Sequence, residues 1–151
     1  ITAASSDIPI FYTGNLSLGV AVLTKLVKEA VAWFPDADVE IIEMHHNRKL
    51  DVPSGTALML GKAVQEARPE AELLTGRHEN GKRTKEEVGI HSVRMGNTVG
   101  IHEVIINTGT QLLTLRHDAQ DRGLFAEGAI RAAEFLKDKE PGLYNMDDLM
   151  K

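Results

Sequence analysis

Residues 45–58, HHNRKLDVPSGTAL, gather two histidines, two cations, an aspartate and a Pro-Ser-Gly-Thr turn directly ahead of an apolar helical pattern. Ser54-Gly55-Thr56 stand at the first turn of a helix expected over 54–67, where unpaired backbone N–H groups and the positive end of the helix dipole attract an anion. Gly55 has no side chain to keep that anion from the backbone. Arg48 and Lys49 come just before the turn, and charge-assisted hydrogen bonds from such cations to a carboxylate or phosphate are worth about 1.5–3 kcal/mol each. Taken alone, the same PSGT is an ordinary N-cap following Asp51-Val52-Pro53. His45 and His46 end a strand, so their side chains point to opposite sides and cannot jointly chelate one metal as histidines at i and i+4 of a helix do. No metal site is expected. Either histidine can exchange a proton near neutral pH, the plain alternative being a polar strand end in solvent. A buried Lys49 would be a Schiff-base amine, but its neighbours suit a charged clamp or proton donor better.

The elements that must position these groups follow from periodicity. IPIFYTG (8–14) reads as a short strand. In the next segment Leu16, Val20, Leu23, Val27, Ala30 and Phe34 recur at helical spacing, with Asn15 or Ser17 as cap and Pro35-Asp36 as the end. VEIIEM (39–44) is a β-branched run leading into the histidines. Beyond the motif, Ala57, Leu60, Ala63, Val64 and Ala67 share one helical face, and Pro69 stops it. Residues 75–87 are polar, charged and glycine-containing, which predicts a loop. Three strands follow at 88–95, 99–107 and 111–119, joined by Gly96-Asn97 and Thr108-Gly109-Thr110, both hairpin-like, so antiparallel pairing is expected. Val104, Ile105 and Ile106 are consecutive, as are Leu112 and Leu113, so the sheet is apolar on both faces and needs two covers. The helix predicted over 122–136 supplies one, and another subunit the other. The tail PGLYNMDDLMK is amphipathic and too short to fold alone. The expected fold class is α+β, around a mixed, largely antiparallel sheet of four to five strands.

Bulk composition narrows the partners. At 151 residues the chain suits one domain and leaves no room for a second of ordinary size. A formal charge of -5 argues against nucleic acid. The absence of cysteine excludes disulfides and thiolate metal sites and suits a reducing cytoplasm. No apolar run approaches the roughly 18–20 residues that span a bilayer, and ITAASSD has neither the basic start nor the apolar centre of a signal peptide. A first residue of Ile1 rather than Met reads as part of a longer protein.

The stretch Glu43 to Ala57, EMHHNRKLDVPSGTA, resembles the signature of the dihydrodipicolinate reductase (4-hydroxy-tetrahydrodipicolinate reductase) family, whose pattern is close to E-x-H-H-x-x-K-x-D-x-P-S-G-T-A. GNLSLGV, VRMGNTVGIHEVI, LRHDAQDRGLFAEGAIRAAEFL and GLYNMDDLM extend the similarity over almost the whole chain. The resemblance implies an NAD(P)H-dependent reduction of a cyclic, unsaturated, dianionic precursor to tetrahydrodipicolinate in diaminopimelate and lysine biosynthesis, by a cytoplasmic homotetramer. By the same resemblance His45 is the proton donor and Lys49 the second catalytic residue. His46, Ser54, Gly55 and Thr56 then contact the substrate carboxylates, and Thr13, Asn15, Arg122 and Phe125 lie near the nicotinamide.

Some positions depart from the family pattern. Thr13-Gly14-Asn15 stands where many members have Ala-Pro-Asn or Ala-Ala-Asn, and Val52 where Ala is common. Arg122 and Phe125 also suit plain capping and packing of the last helix. No G-x-G-x-x-G occurs, so residues 1–151 are expected to be the C-terminal substrate-binding and tetramerisation domain. NADH or NADPH would be bound mainly by an N-terminal dinucleotide-binding domain outside this chain. Two other readings stay open: a non-catalytic, oligomeric carboxylate- or phosphate-binding module, and a lysine-dependent lyase or aldolase, which needs a buried Lys49.

Overall fold

In the computed structural model, which describes every residue from Ile1 to Lys151, the elements run β1 (Pro9–Phe11), α1 (Leu18–Trp33), β2 (Asp38–His45), α2 (Gly55–Ala67), β3 (Glu72–Thr75), β4 (Glu87–Arg94), β5 (Gly100–Asn107), β6 (Leu112–Ala119), α3 (Gly123–Leu136), β7 (Gly142–Tyr144) and α4 (Met146–Leu149). The expected α+β class and mixed sheet are present. Residues Val22–Gln120 form one compact unit, and Ile1–Ala21 with Asp121–Lys151 form another. No helix is long and apolar enough to cross a membrane.

The larger unit is built on a five-stranded sheet of order β3-β4-β2-β5-β6. β3, β4 and β2 run parallel, while β5 is antiparallel to both β2 and β6. The expected β5–β6 hairpin forms around Gly109, whose φ of 89° suits glycine. The expected β4–β5 hairpin does not, because β2 lies between these strands. Gly96-Asn97 bridges the end of β2 instead: Met95 N–H donates to His45 O at 2.9 Å, and Asn47 N–H to Gly96 O at 3.2 Å. The reason is packing. β2 carries Val39 and Ile41 toward the core, and pairing on both sides completes two fully buried rows, Val39 with Val88 and Ile106, and Ile41 with Ile90 and Val104. A hairpin would leave β2 at an edge with that surface half covered.

Leu23, Val27 and Val31 of α1 and Ala57, Leu60 and Val64 of α2 close over these rows. Ser17 is the α1 cap: its Oγ accepts from Val20 N–H at 3.2 Å, while Asn15 Oδ1 accepts from Ser17 N–H at 2.8 Å and shapes the approach. The opposite sheet face presents Ile42, Met44, Val93, Ile101 and Ile105, all half-buried. The helix predicted over 122–136 is present as α3. It belongs to the smaller unit, where it packs on the parallel β1–β7 pair, with Phe135 edge-on to Phe11 and Tyr144 at 6.2 and 5.6 Å. Gly128 permits the approach of α3 to the chain before α1, since a Cβ there would lie 1.8 Å from Leu16 O. β3 and β7 are short and were not legible as strands.

Candidate active site

Along the covered face, the two apolar rows give way to two polar ones. The next row is Glu43 with Ser92 and His102, and the one after is His45 with Arg94. Strand alternation puts all of them on the side that α2 covers. A carboxylate in that place must be compensated. Glu43 has no exposed surface, and Arg94 grips it with both terminal guanidinium nitrogens, Nη2 to Oε1 at 2.7 Å and Nη1 to Oε2 at 2.9 Å. Ser54 N–H donates to Oε1 at 3.1 Å, and His45 Nδ1 lies 2.5 Å from Oε2. Burial by itself would raise the Glu43 pKa, but the hydrogen bonds from Arg94 and the neighbouring donors outweigh it and hold the carboxyl at about 2.

Ser54, just ahead of α2, joins this cluster to the helix. Its Oγ accepts from Ala57 N–H at 3.2 Å and lies 3.0 Å from His102 Nε2. The N-cap reading of PSGT is therefore correct for the hydroxyl, a contact worth about 1 kcal/mol. Both polar groups of Ser54 have internal partners, and it is buried. Gly55 is exposed, and a Cβ there would meet nothing within 4 Å, so the backbone at the helix start faces open space. Thr56 is buried one residue further on.

His102 stacks edge-to-face on His45 at 5.1 Å. Burial, reinforced by the nearby His45, pushes its pKa down to about 4, so it is neutral at physiological pH. His45 is buried and ends β2, and His46 follows half-buried on the alternate side, as strand geometry requires. Lys49 sits in the turn after them. Its N–H donates to His46 O at 3.1 Å, and its ammonium pairs with Asp51 at 2.8 Å with the side chain 22% exposed. An ion-paired, partly solvated amine is the wrong environment for Schiff-base chemistry, which removes the lyase reading. Arg48 does not join the site as a cation: it is exposed and donates to Asn97 Oδ1 at 2.9 Å, tying the motif loop to the β4–β5 connection.

Thr13, Asn15, Arg122 and Phe125 lie in the smaller unit. Thr13 Oγ1 donates to Asn15 O at 2.9 Å, so these two residues shape their own turn. Arg122 is exposed at the start of α3 and makes no side-chain cap bond there, and Phe125 is half-buried. Sequence reasoning passed over Glu43, Arg94, His102 and Gly100. Glu43 carried a signal, a carboxylate two residues after Ile41 in an alternating strand whose inward face is apolar up to that point.

Residues 19–150 match the family model described as "Dihydrodipicolinate reductase, C-terminus". The chain is 47% identical over 153 residues to the 4-hydroxy-tetrahydrodipicolinate reductase of Caldanaerobacter subterraneus subsp. tengcongensis, covering 100% of this chain and 61% of that protein. It is 43% identical over 152 residues to the enzyme of the same name from Clostridium tetani, covering 99% of this chain and 60% of the relative. Among solved structures, a dipicolinate-bound dihydrodipicolinate reductase from Paenisporosarcina sp. TG-14 superposes with a TM-score of 0.74 at 31% identity, over 95% of this chain and 56% of that one. The chain thus spans about three fifths of the length of these curated relatives.

Proposed function

Because the chain belongs to the dihydrodipicolinate reductase C-terminal family, we propose that it is the substrate-binding and oligomer-forming part of a cytoplasmic 4-hydroxy-tetrahydrodipicolinate reductase, supplying tetrahydrodipicolinate for diaminopimelate and lysine synthesis. The observation that carries this reading is the joining of His45 to the α2 start through one buried carboxylate, Glu43, which sets a proton-exchanging ring beside an open, anion-favouring helix end. A planar dianion suits that end. Its carboxylates take the backbone at Gly55 and Thr56 and the ammonium of Lys49, which exchanges Asp51 for substrate, with His46 and the Ser54 turn completing the contacts. His45 then donates the proton required at the reduced substrate.

NADH or NADPH, bound mainly through an N-terminal dinucleotide-binding domain, supplies the hydride. Arg122, Phe125 and the turn at Thr13 and Asn15 are assigned to its nicotinamide end. Thr13 is committed to the internal bonds of that turn, so the contact falls to the turn's backbone as much as to side chains.

Calorimetry on the 151-residue chain tests the assignment of substrate and cofactor to different domains. Pyridine-2,6-dicarboxylate is expected to bind weakly, with affinity that falls as salt rises, because the attraction is screened over about 8–10 Å. NADH and NADPH are expected to give no tight binding and no reduction. Tight nucleotide binding, or no dianion binding at low salt and millimolar ligand, contradicts the assignment.

The half-buried apolar face of Ile42, Met44, Val93, Ile101 and Ile105 supports a homotetramer built through the sheet. Apolar burial is worth about 25 cal/mol per Å² before association costs. Light scattering is expected to give a mass near four chains of 16.6 kDa, and a clean monomer at micromolar concentration defeats the tetramer.

A further inference from the structure

His45 exchanges protons through whichever ring nitrogen its surroundings leave for the task, and its neighbours decide which one that is. Glu43 Oε2 lies 2.5 Å from Nδ1. The Arg94 guanidinium keeps that buried carboxyl ionised, so it can only accept. Nδ1 must then carry a hydrogen in both the neutral and the protonated ring, and Nε2 is the atom that gains and loses the proton. The ring has little room to turn over. His102 packs against it at 5.1 Å, and the Gly100 backbone is so near that a Cβ there would lie 3.0 Å from Nε2. The same carboxylate receives Ser54 N–H, which ties the first turn of α2 to the ring.

We propose that Glu43 is the positioning residue of this site: backed by Arg94, it holds His45 as the Nδ1–H tautomer and sets the α2 helix start in register with it, without itself touching substrate. This rests on the reading of His45 as proton donor. Beside Glu43 and His45, the ionisable groups of this cluster are Arg94 from β4, which Asp51 of the motif loop also faces, and His102 from β5, which Lys49 of the motif loop and His117 of β6 also face.

The test uses the intact reductase with selectively 15N-labelled histidine, together with Glu43→Gln. In the wild type, His45 Nδ1 is expected to be protonated throughout, with Nε2 titrating. Glutamine keeps the size, but its amide can donate to Nδ1, so the opposite tautomer becomes populated. Turnover should fall about 10²-fold or more, as when the carboxylate aligning a catalytic histidine is neutralised, while KM for the substrate moves less than about threefold. The basic limb of the kcat–pH profile, where a proton donor is lost, should shift to lower pH, because no carboxylate remains to stabilise the imidazolium. Glu43→Asp, which keeps the charge, should restore part of the loss. A neutral wild-type His45 with its hydrogen on Nε2 overturns the proposal, and that measurement needs no variant should Glu43→Gln fold poorly. Unchanged kcat in Glu43→Gln, or a loss confined to KM with the pH profile unmoved, overturns it as well. His45→Ala run in parallel separates the two readings: retained turnover removes the proton-donor role, whereas the nitrogen spectrum alone decides the tautomer.

Discussion

In the intact reductase, His45→Ala is expected to lower turnover by about 10²–10⁴-fold, the range typical of removing a positioned general acid. The size of the effect follows from how completely the ring is fixed. One nitrogen is bonded to a buried carboxylate at 2.5 Å, one face meets the His102 ring, and the Gly100 backbone limits the other side, so no solvent molecule or neighbouring side chain can take the same place in the same geometry. Lys49→Ala should reduce turnover over a similar range but weaken substrate affinity more, because the proposed function has Lys49 supply charge to a dianion and His45 supply a proton. Steady-state kinetics with saturating nucleotide separate the two, since loss of an interaction made only in the transition state lowers kcat and kcat/KM together. Near wild-type turnover in both variants removes these residues from the mechanism.

Arg94→Ala should be the most damaging single change to stability, costing about 3–5 kcal/mol at neutral pH, because it strands a buried carboxylate without its principal counter-charge. Denaturant melts across a pH series give a sharper form of the expectation. In the wild type the folded-state pKa of Glu43 is depressed from 4.5 to about 2. Its contribution, roughly 3 kcal/mol, is therefore complete above pH 4.5 and lost as pH falls toward 2. His102 is depressed from 6.5 to about 4. Burying it neutral costs nothing above pH 6.5, and stability drains away as pH falls from there toward 4. The wild type should thus lose stability in two consecutive windows.

Without Arg94, burial acts on Glu43 with less opposition and favours the protonated carboxyl. The gap between variant and wild type should consequently narrow as pH falls through the carboxylate range. A gap below about 1 kcal/mol at pH 7, or one that stays constant with pH, shows that the pair is not the mainstay of the site. The Arg94 change also tests the Glu43 proposal indirectly, since a carboxylate free to protonate no longer dictates the His45 tautomer.

Most of the candidate site was legible in one stretch. EMHHNRKLDVPSGTA carries the histidine proposed as proton donor, the cation and the helix start in local order, and local order survives folding because each of those places is set by a strand end, a turn or a cap. The helices 18–33, 55–67 and 123–136 were likewise legible from their 3.6-residue periodicity, as were the strands on either side of Thr108-Gly109-Thr110. What failed was pairing. Gly96-Asn97 has the composition of a tight turn, yet a tight turn and a connection crossing the end of a third strand place similar demands on those residues, and only the burial of β2 on both edges chooses between them.

The tetrapeptide VGIH, which occurs at 88–91 and again at 99–102, shows where local information ends. His91 faces the uncovered side of the sheet, 2.7 Å from Glu40, whereas His102 is buried under α2 against Ser54 and His45. Identical neighbours give opposite faces because a strand's period of two fixes only alternation, and a shift of one residue in register against β2 inverts which members point inward. The sequence by itself thus determined the histidine pair, the cation and the helix start, since each depends on residue type and near spacing. Tertiary structure alone decided that Glu43, Arg94, His102 and Gly100 converge on them. Those four lie on three strands, and a buried carboxylate is tolerated only where pairing across all three supplies its cation and donors at once.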